Sequence, residues 1–174
     1  MASNKQLFIL RHAKSSWDNP GLEDHERPLA LRGQRACAVI ADHLRKNAIK
    51  PELVLCSSAR RTRETLEGVA PTGEHVIEPQ LYSASAEDVL GRLRQLPEDI
   101  SSVMVIGHNP TLQMLVLRLA RRDGTARPAV ERKFPTGALA TLTFDCGWHE
   151  LAAGSAYLAE FLTPKELSAT SRAG

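Results

Sequence analysis

The sequence predicts an α/β fold: a three-layer α/β/α sandwich around a mainly parallel central sheet. Three observations carry this expectation. Leu7-Phe8-Ile9-Leu10, Leu53-Val54-Leu55 and Val103-Met104-Val105-Ile106 are short, unbroken apolar runs rich in branched residues, the pattern of strands buried on both faces. Segments with helical spacing of apolar residues lie between and after them, which implies right-handed βαβ crossovers with helices on both faces of the sheet. Each run also ends abruptly in a polar cluster: Arg11-His12, Cys56-Ser57-Ser58-Ala59-Arg60-Arg61 and Gly107-His108-Asn109-Pro110.

The elements follow in order. Residues 6–12 read as the first strand, and residues 13–28, with Asn19-Pro20-Gly21 and Arg27-Pro28, as an irregular loop. Residues 31–47 place Ala36, Val39, Ile40 and Leu44 at helical spacing. Residues 52–57 form the next strand and 59–70 a helix in which Thr62, Thr65, Leu66 and Val69 share a face. His75-Val76-Ile77 is a short strand, and 86–96 a helix with Val89, Leu90, Leu93 and Leu96 on one side. After the strand at 102–107, Asn109-Pro110 opens a helix to about residue 121, with Asn as the cap and Pro at the first helical position. Residues 137–145 and 154–162 add strands at an edge. The small, polar residues 164–174 read as a frayed end. The expectation is a single domain over 1–174, with its core over about 6–165 and a mobile tail at 166–174.

Composition narrows the function classes. The 174 residues suit one domain with a real core, and 43% apolar with 24% charged residues is ordinary for a globular chain. A net charge of +2 gives no argument for a nucleic-acid or membrane partner. Cys37, Cys56 and Cys146 are odd in number and far apart, so they read as reduced packing residues rather than a disulfide framework. The first apolar run is too short for a signal peptide or membrane span. A cytoplasmic protein is expected. No two histidines or cysteines show metal-ligand spacing, so no metal and no cofactor is expected.

In parallel sheets ligands bind beyond the carboxyl ends of the strands, so His12, His108, Arg11 and Arg61 are expected to converge on one crevice suited to phosphate chemistry. Imidazole, with a reference pKa near ~6.5, is substantially neutral and nucleophilic at neutral pH. A transferring phosphoryl group spreads negative charge over three oxygens, and the planar, permanently charged guanidinium meets them bidentately. Arg11 and Arg61 are the candidates for this, with His108 as a third donor. The N-terminus of the helix after Asn109 would add backbone N–H groups.

Arg11-His12-Ala13, then Ser57-x-x-x-Arg61-x-x-x-Thr65, then Gly107-His108, resemble the histidine phosphatase (phosphoglycerate mutase-like) superfamily. The run Arg11-His12-Ala13-Lys14-Ser15, with Arg27-Pro28-Leu29 and Arg32-Gly33 downstream, is most similar to its small SixA-type phosphohistidine phosphatase branch. The similarity spans roughly residues 6–165. It implies the phosphoglycerate mutase-like sandwich and a metal-independent reaction in which His12 takes the phosphoryl group and water then releases it. By the same resemblance Arg11 and Arg61 bind phosphate and His108 stabilises the transferring group. The arginine four residues before a threonine selects Arg61 over Arg60.

Two positions depart from the pattern: Ala13, where many relatives have glycine, and Asp18, where many have asparagine. Asp18 is a candidate for a hydrogen bond or proton donation in the site, Ser15 for a hydrogen bond to phosphate, and Arg27 for bracing the site loop. Glu87 and Asp88 fit a helix cap better than a general acid, so no acid is assigned. A phosphohistidine substrate, with a good leaving group, fits that absence. His25, His43, His75 and His149 read as surface or packing residues. The basic run 118–133 reads as a solvated helix end and loop, with docking of an acidic phosphoprotein as the sharper alternative. The expected function is dephosphorylation of phosphohistidine on a signalling protein. The alternatives are a phosphomonoesterase for a small phosphorylated metabolite and a non-catalytic phosphate-recognising protein.

Overall fold

A computed structural model of the protein describes residues 4–172. Its six strands are β1 (Lys5–Arg11), β2 (Leu53–Ser57), β3 (Glu74–Glu78), β4 (Ser102–Gly107), β5 (Leu139–Phe144) and β6 (Tyr157–Leu162). They form one sheet in the order β3-β2-β4-β1-β5-β6. The pairs β3–β2, β2–β4 and β4–β1 are parallel, whereas β5 and β6 run antiparallel along the free side of β1. The mixed sheet is the three-layer α/β architecture read from the alternating strands and helices, with 137–145 and 154–162 added at one edge as expected.

The pleat explains the two cores. Successive residues of β1 point to opposite faces, so Leu7 and Ile9 join one apolar cluster and Phe8 and Leu10 the other. The first cluster receives α3 (Ala86–Arg94) and α4 (Thr111–Leu119) through Leu90, Leu93, Leu112 and Leu115. The second receives α1 (Leu31–Lys46) and α2 (Arg60–Val69) through Ile40, Leu44, Leu66 and Val69. None of the described helices is long and apolar enough to cross a membrane.

Three expectations are corrected. The helix after Asn109 starts at Thr111, with Pro110 as its N-cap. Asn109 caps it from one residue further out, its Oδ1 accepting from the Gln113 amide at 3.1 Å. Residues 127–132, read as part of a loop, form the short helix α5 (Arg127–Arg132), with Pro128 in its first turn. The segment read as frayed instead folds as α6 (Pro164–Arg172). Its Leu167 packs on the second core, and the Leu167 amide donates to the Thr163 carbonyl at 3.0 Å. Thr163-Pro164 is a helix-start signal, and one apolar side chain four residues on suffices to seat the helix. Residues 173–174 of the expected tail lie outside the described residues.

Gly33 sets how closely α1 approaches the segment after β1. A Cβ at this position would lie 2.2 Å from the Lys14 carbonyl oxygen, which itself accepts from the Ala30 amide at 2.9 Å. Gly33→Ala is therefore expected to push Lys14 and its neighbours away from α1, at about 1–3 kcal/mol. Thermal unfolding should show a drop in Tm of about 2–4 °C per kcal/mol. An unchanged Tm would mean that this contact relaxes freely.

Candidate functional site

The crevice is built by register. Arg11 at the end of β1 lies opposite Gly107 at the end of β4, and the His12 amide donates to the Gly107 carbonyl at 3.1 Å. The residues that follow these strands therefore emerge side by side, and the rings of His12 and His108 lie 5.5 Å apart between centroids. β2 ends beside them: Ser57 Oγ is 2.7 Å from His108 Nε2. Helix α2 then carries Arg61 into the same space. The spacing of Arg61 and Thr65 has a physical reason, because Thr65 Oγ1 donates to the Arg61 carbonyl at 2.7 Å and accepts from the Ala13 amide at 3.0 Å. One hydroxyl thus fastens the first turn of α2 to the residue after His12.

His12 is buried. Its Nδ1 lies 2.7 Å from the Ala13 carbonyl oxygen, which can only accept, so the proton sits on Nδ1 and Nε2 keeps its lone pair. Burial, against the opposing pull of that carbonyl and with help from nearby His108, Arg61 and Arg11, holds the His12 pKa down at about 3. Burial and then Arg61 likewise push His108 down to about 4. Both rings are neutral at physiological pH.

The two arginines are fixed by different partners. Arg11 donates through Nη1 to the Phe134 carbonyl at 2.9 Å, and burial and the charge of Arg61 lower its pKa. Arg61 is buried and donates to the Asp24 carbonyl at 2.8 Å and to Asp24 Oδ2 at 3.1 Å. Arg60 is exposed and pairs with Glu64 at 3.2 Å.

Asp24 is the hub that sequence reading missed. It also accepts from Tyr82 at 2.6 Å and from Arg27 at 3.0 Å, and the Tyr82 hydroxyl, then Arg61 and Arg27, hold its carboxyl at about 2. Tyr82 and His25 were missed as well. The Tyr82 ring stands edge-on to His108 at 5.6 Å and to His25 at 4.8 Å, and His25 Nε2 lies 2.9 Å from Ser58 Oγ. A signal for Tyr82 was present, since it follows the carboxyl end of β3, where the rule that located His12 and His108 applies equally. For Asp24 the signal was the ionisable run Glu23-Asp24-His25-Glu26-Arg27 inside an otherwise irregular loop.

The remaining candidates separate cleanly. Arg27 is buried and braces the loop, donating to Ser15 Oγ at 2.5 Å and the Ser16 carbonyl at 3.2 Å, with its guanidinium 3.3 Å over the Trp17 ring. Ser15 is the acceptor of that bond, and Asp18 is exposed with its amide on Ser16 Oγ. The start of α4 offers less than expected: Pro110 has no N–H, the Leu112 amide donates to the His108 carbonyl, and the Gln113 amide to Asn109. Asp88 is held in a capping box with Ser85. Among the described residues no group of three or more His, Cys, Asp or Glu side chains is placed to hold a metal ion.

Comparisons with known proteins place the chain in a family. A family model for the histidine phosphatase superfamily (branch 1) matches residues 7–99. An uncharacterised protein of Mycobacterium tuberculosis is 35% identical over 159 residues, covering 90% of this chain and 100% of that protein. The phosphohistidine phosphatase SixA of Escherichia coli is 31% identical over 147 residues, covering 80% of this chain and 86% of the relative. A solved structure from Nakamurella multipartitia, assigned to SixA, superposes with a TM-score of 0.85 at 29% identity, covering 94% of this chain and 98% of that one.

The protonation state is open to direct measurement. Nitrogen-edited NMR at about pH 5 should find His12 neutral with its proton on Nδ1 and His108 neutral, while His149, raised by its bond to Glu98, is charged. Unfolded imidazoles take up protons below about pH 6.5 and these two do not, so stability should fall as pH drops from about 6.5 toward 3. His12 titrating near ~6.5 would contradict the geometry.

Proposed function

Because this chain belongs to the histidine phosphatase superfamily, we propose that it is a phosphatase in which His12 accepts the phosphoryl group and water releases it, with phosphohistidine on a protein as substrate. One observation carries this reading: the Nδ1–H of His12 is held by the Ala13 carbonyl at 2.7 Å, which leaves Nε2 as the nucleophilic atom. In the first step the Nε2 lone pair forms an N–P bond as the bond from phosphorus to the substrate's leaving nitrogen breaks, and the substrate ring, protonated on its other nitrogen, departs as neutral imidazole. Ala13 continues to hold the Nδ1 proton of the phosphorylated ring. In the second step water attacks phosphorus, the N–P bond breaks with its electron pair returning to Nε2, both water protons stay with inorganic phosphate, and neutral His12 returns.

The surroundings suit the charge that develops. Arg11 and Arg61 supply fixed cations to the equatorial oxygens. Arg11 Nε and His108 Nδ1 are buried without a hydrogen-bond partner among the described residues and would be satisfied by an oxyanion. Asp24, held near a pKa of about 2 by Tyr82 and two arginines, is a poor proton donor. That favours a substrate whose leaving group needs no acid from the protein, and a phosphohistidine ring already protonated on its second nitrogen, which departs as neutral imidazole, is such a group. The reading places the reaction in the cytoplasm, where the three free thiols Cys37, Cys56 and Cys146 stay reduced, and it needs no metal.

The test is phosphate release, in the presence of a chelator, from a phosphohistidine protein and from a panel of phosphomonoesters. Release from the phosphohistidine protein that vanishes in His12→Ala is expected. Arg61→Ala should lower kcat/KM by about 10- to 100-fold, the loss of one or more charge-assisted hydrogen bonds. Release confined to one phosphomonoester would shift the substrate to a small metabolite. Full activity in His12→Ala would sink the covalent mechanism.

A further inference from the structure

A basic groove of about 550 Å³ lies against α1 and α6, lined at its rim by Lys14, Arg32, Arg35, Lys133 and Lys165. All five cations are exposed, and among the described residues none has a carboxylate within 4.0 Å. Among the described residues no Asp or Glu lines the groove; between the cations lie an apolar floor of Ala36, Val39, Pro135 and Pro164 and the hydroxyl side chains of Thr136, Thr163 and Ser168. The groove adjoins the candidate site along the chain. Lys14 is two residues from His12, and Lys133 and Pro135 flank Phe134, whose carbonyl holds Arg11. The amide of Gly137, next along, donates to the carbonyls of Arg11 and His12 at 3.1 and 2.9 Å.

We propose that this groove docks an acidic segment of the phosphorylated protein whose phosphoryl group His12 takes. Five uncompensated cations around one concavity repel one another, and an anionic occupant relieves this. The volume far exceeds one phosphate ion and fits a few residues of polypeptide. The apolar floor suits aliphatic side chains alternating with the acidic ones. Among the described residues no aromatic side chain lines the groove, so it lacks the stacking platform on which single-stranded nucleic acids and nucleotide bases rely. The basic run 118–133 contributes one residue only, Lys133; Arg118, Arg121 and Arg127 are paired with Glu87, Asp123 and Glu131. The docking surface is therefore assembled from four separate stretches of chain and was not visible as a linear charge run.

This inference rests on the phosphoprotein reading of the site, and its test separates the two. Arg32 and Arg35 stand in the first turns of α1, where acidic substitutions suit the helix dipole, so Arg32→Glu/Arg35→Glu should fold. Binding of a labelled peptide alternating glutamate and leucine is followed by anisotropy, with inorganic phosphate and a single-stranded RNA as competitors. The peptide should bind the wild type, weaken with salt, and lose about tenfold in affinity in the double variant as two exposed attractions become repulsions. Inorganic phosphate should not displace it. With a phosphohistidine protein the variant should raise KM and keep kcat, while turnover of phosphoramidate stays unchanged. Peptide binding that is absent, insensitive to the double variant or displaced by phosphate overturns the proposal, as does RNA binding more tightly with the same sensitivity. Peptide binding intact beside a wild type inactive on phosphohistidine would keep the groove and sink the substrate reading instead.

Discussion

The parallel pairing of β1 with β4 is the constraint on which the rest depends. It puts Arg11 opposite Gly107 and hands the His12 amide to the Gly107 carbonyl, so two histidines far apart in sequence face each other across one crevice. Side chains alternate faces along a strand, and a slip of one residue would move every side chain of β1 to the opposite face. Leu7 and Ile9 belong to one core and Phe8 and Leu10 to the other. Both cores therefore resist a slip, and the precision of the site derives from packing several residues upstream.

Charge in the crevice is arranged so that the histidines yield and the arginines do not. Arg11 and Arg61 are close enough to lower the pKa of Arg11, and their field together with burial keeps both imidazoles neutral. The cations are held by the Phe134 carbonyl and by Asp24. Asp24 in turn ties Arg61, Arg27 and Tyr82 into one network, so the loop after β1 is held by residues of the candidate site. A neutral imidazole between fixed cations is the combination that nucleophilic attack on a phosphoryl group requires, since the ring must offer a lone pair while its surroundings offer positive charge.

Much of this was legible in the chain. Unbroken apolar runs marked the buried strands, and the polar residues closing them marked the crevice, because strand ends in a parallel sheet converge. What escaped was whatever depended on a loop or a weak local signal. Asp24 and His25 sit in an irregular segment whose path is fixed only once Arg27 meets Ser15 and Ser16. Helix α6 depends on one apolar contact through Leu167 rather than on a periodic face. Asn109-Pro110 was read one residue early because the Asn109 side chain reaches forward over Pro110 to accept from the Gln113 amide. Ser15, plausible by position, turns out to serve Arg27.

The central claim is that His12 carries the phosphoryl group through Nε2. Rapid acid-free quenching of a turnover with phosphohistidine substrate, followed by peptide mapping, tests it most directly. The account requires one phosphoryl group on the peptide containing His12, attached at Nε2, appearing before phosphate release. A phosphoryl group on any other residue, or attachment at Nδ1, would contradict it.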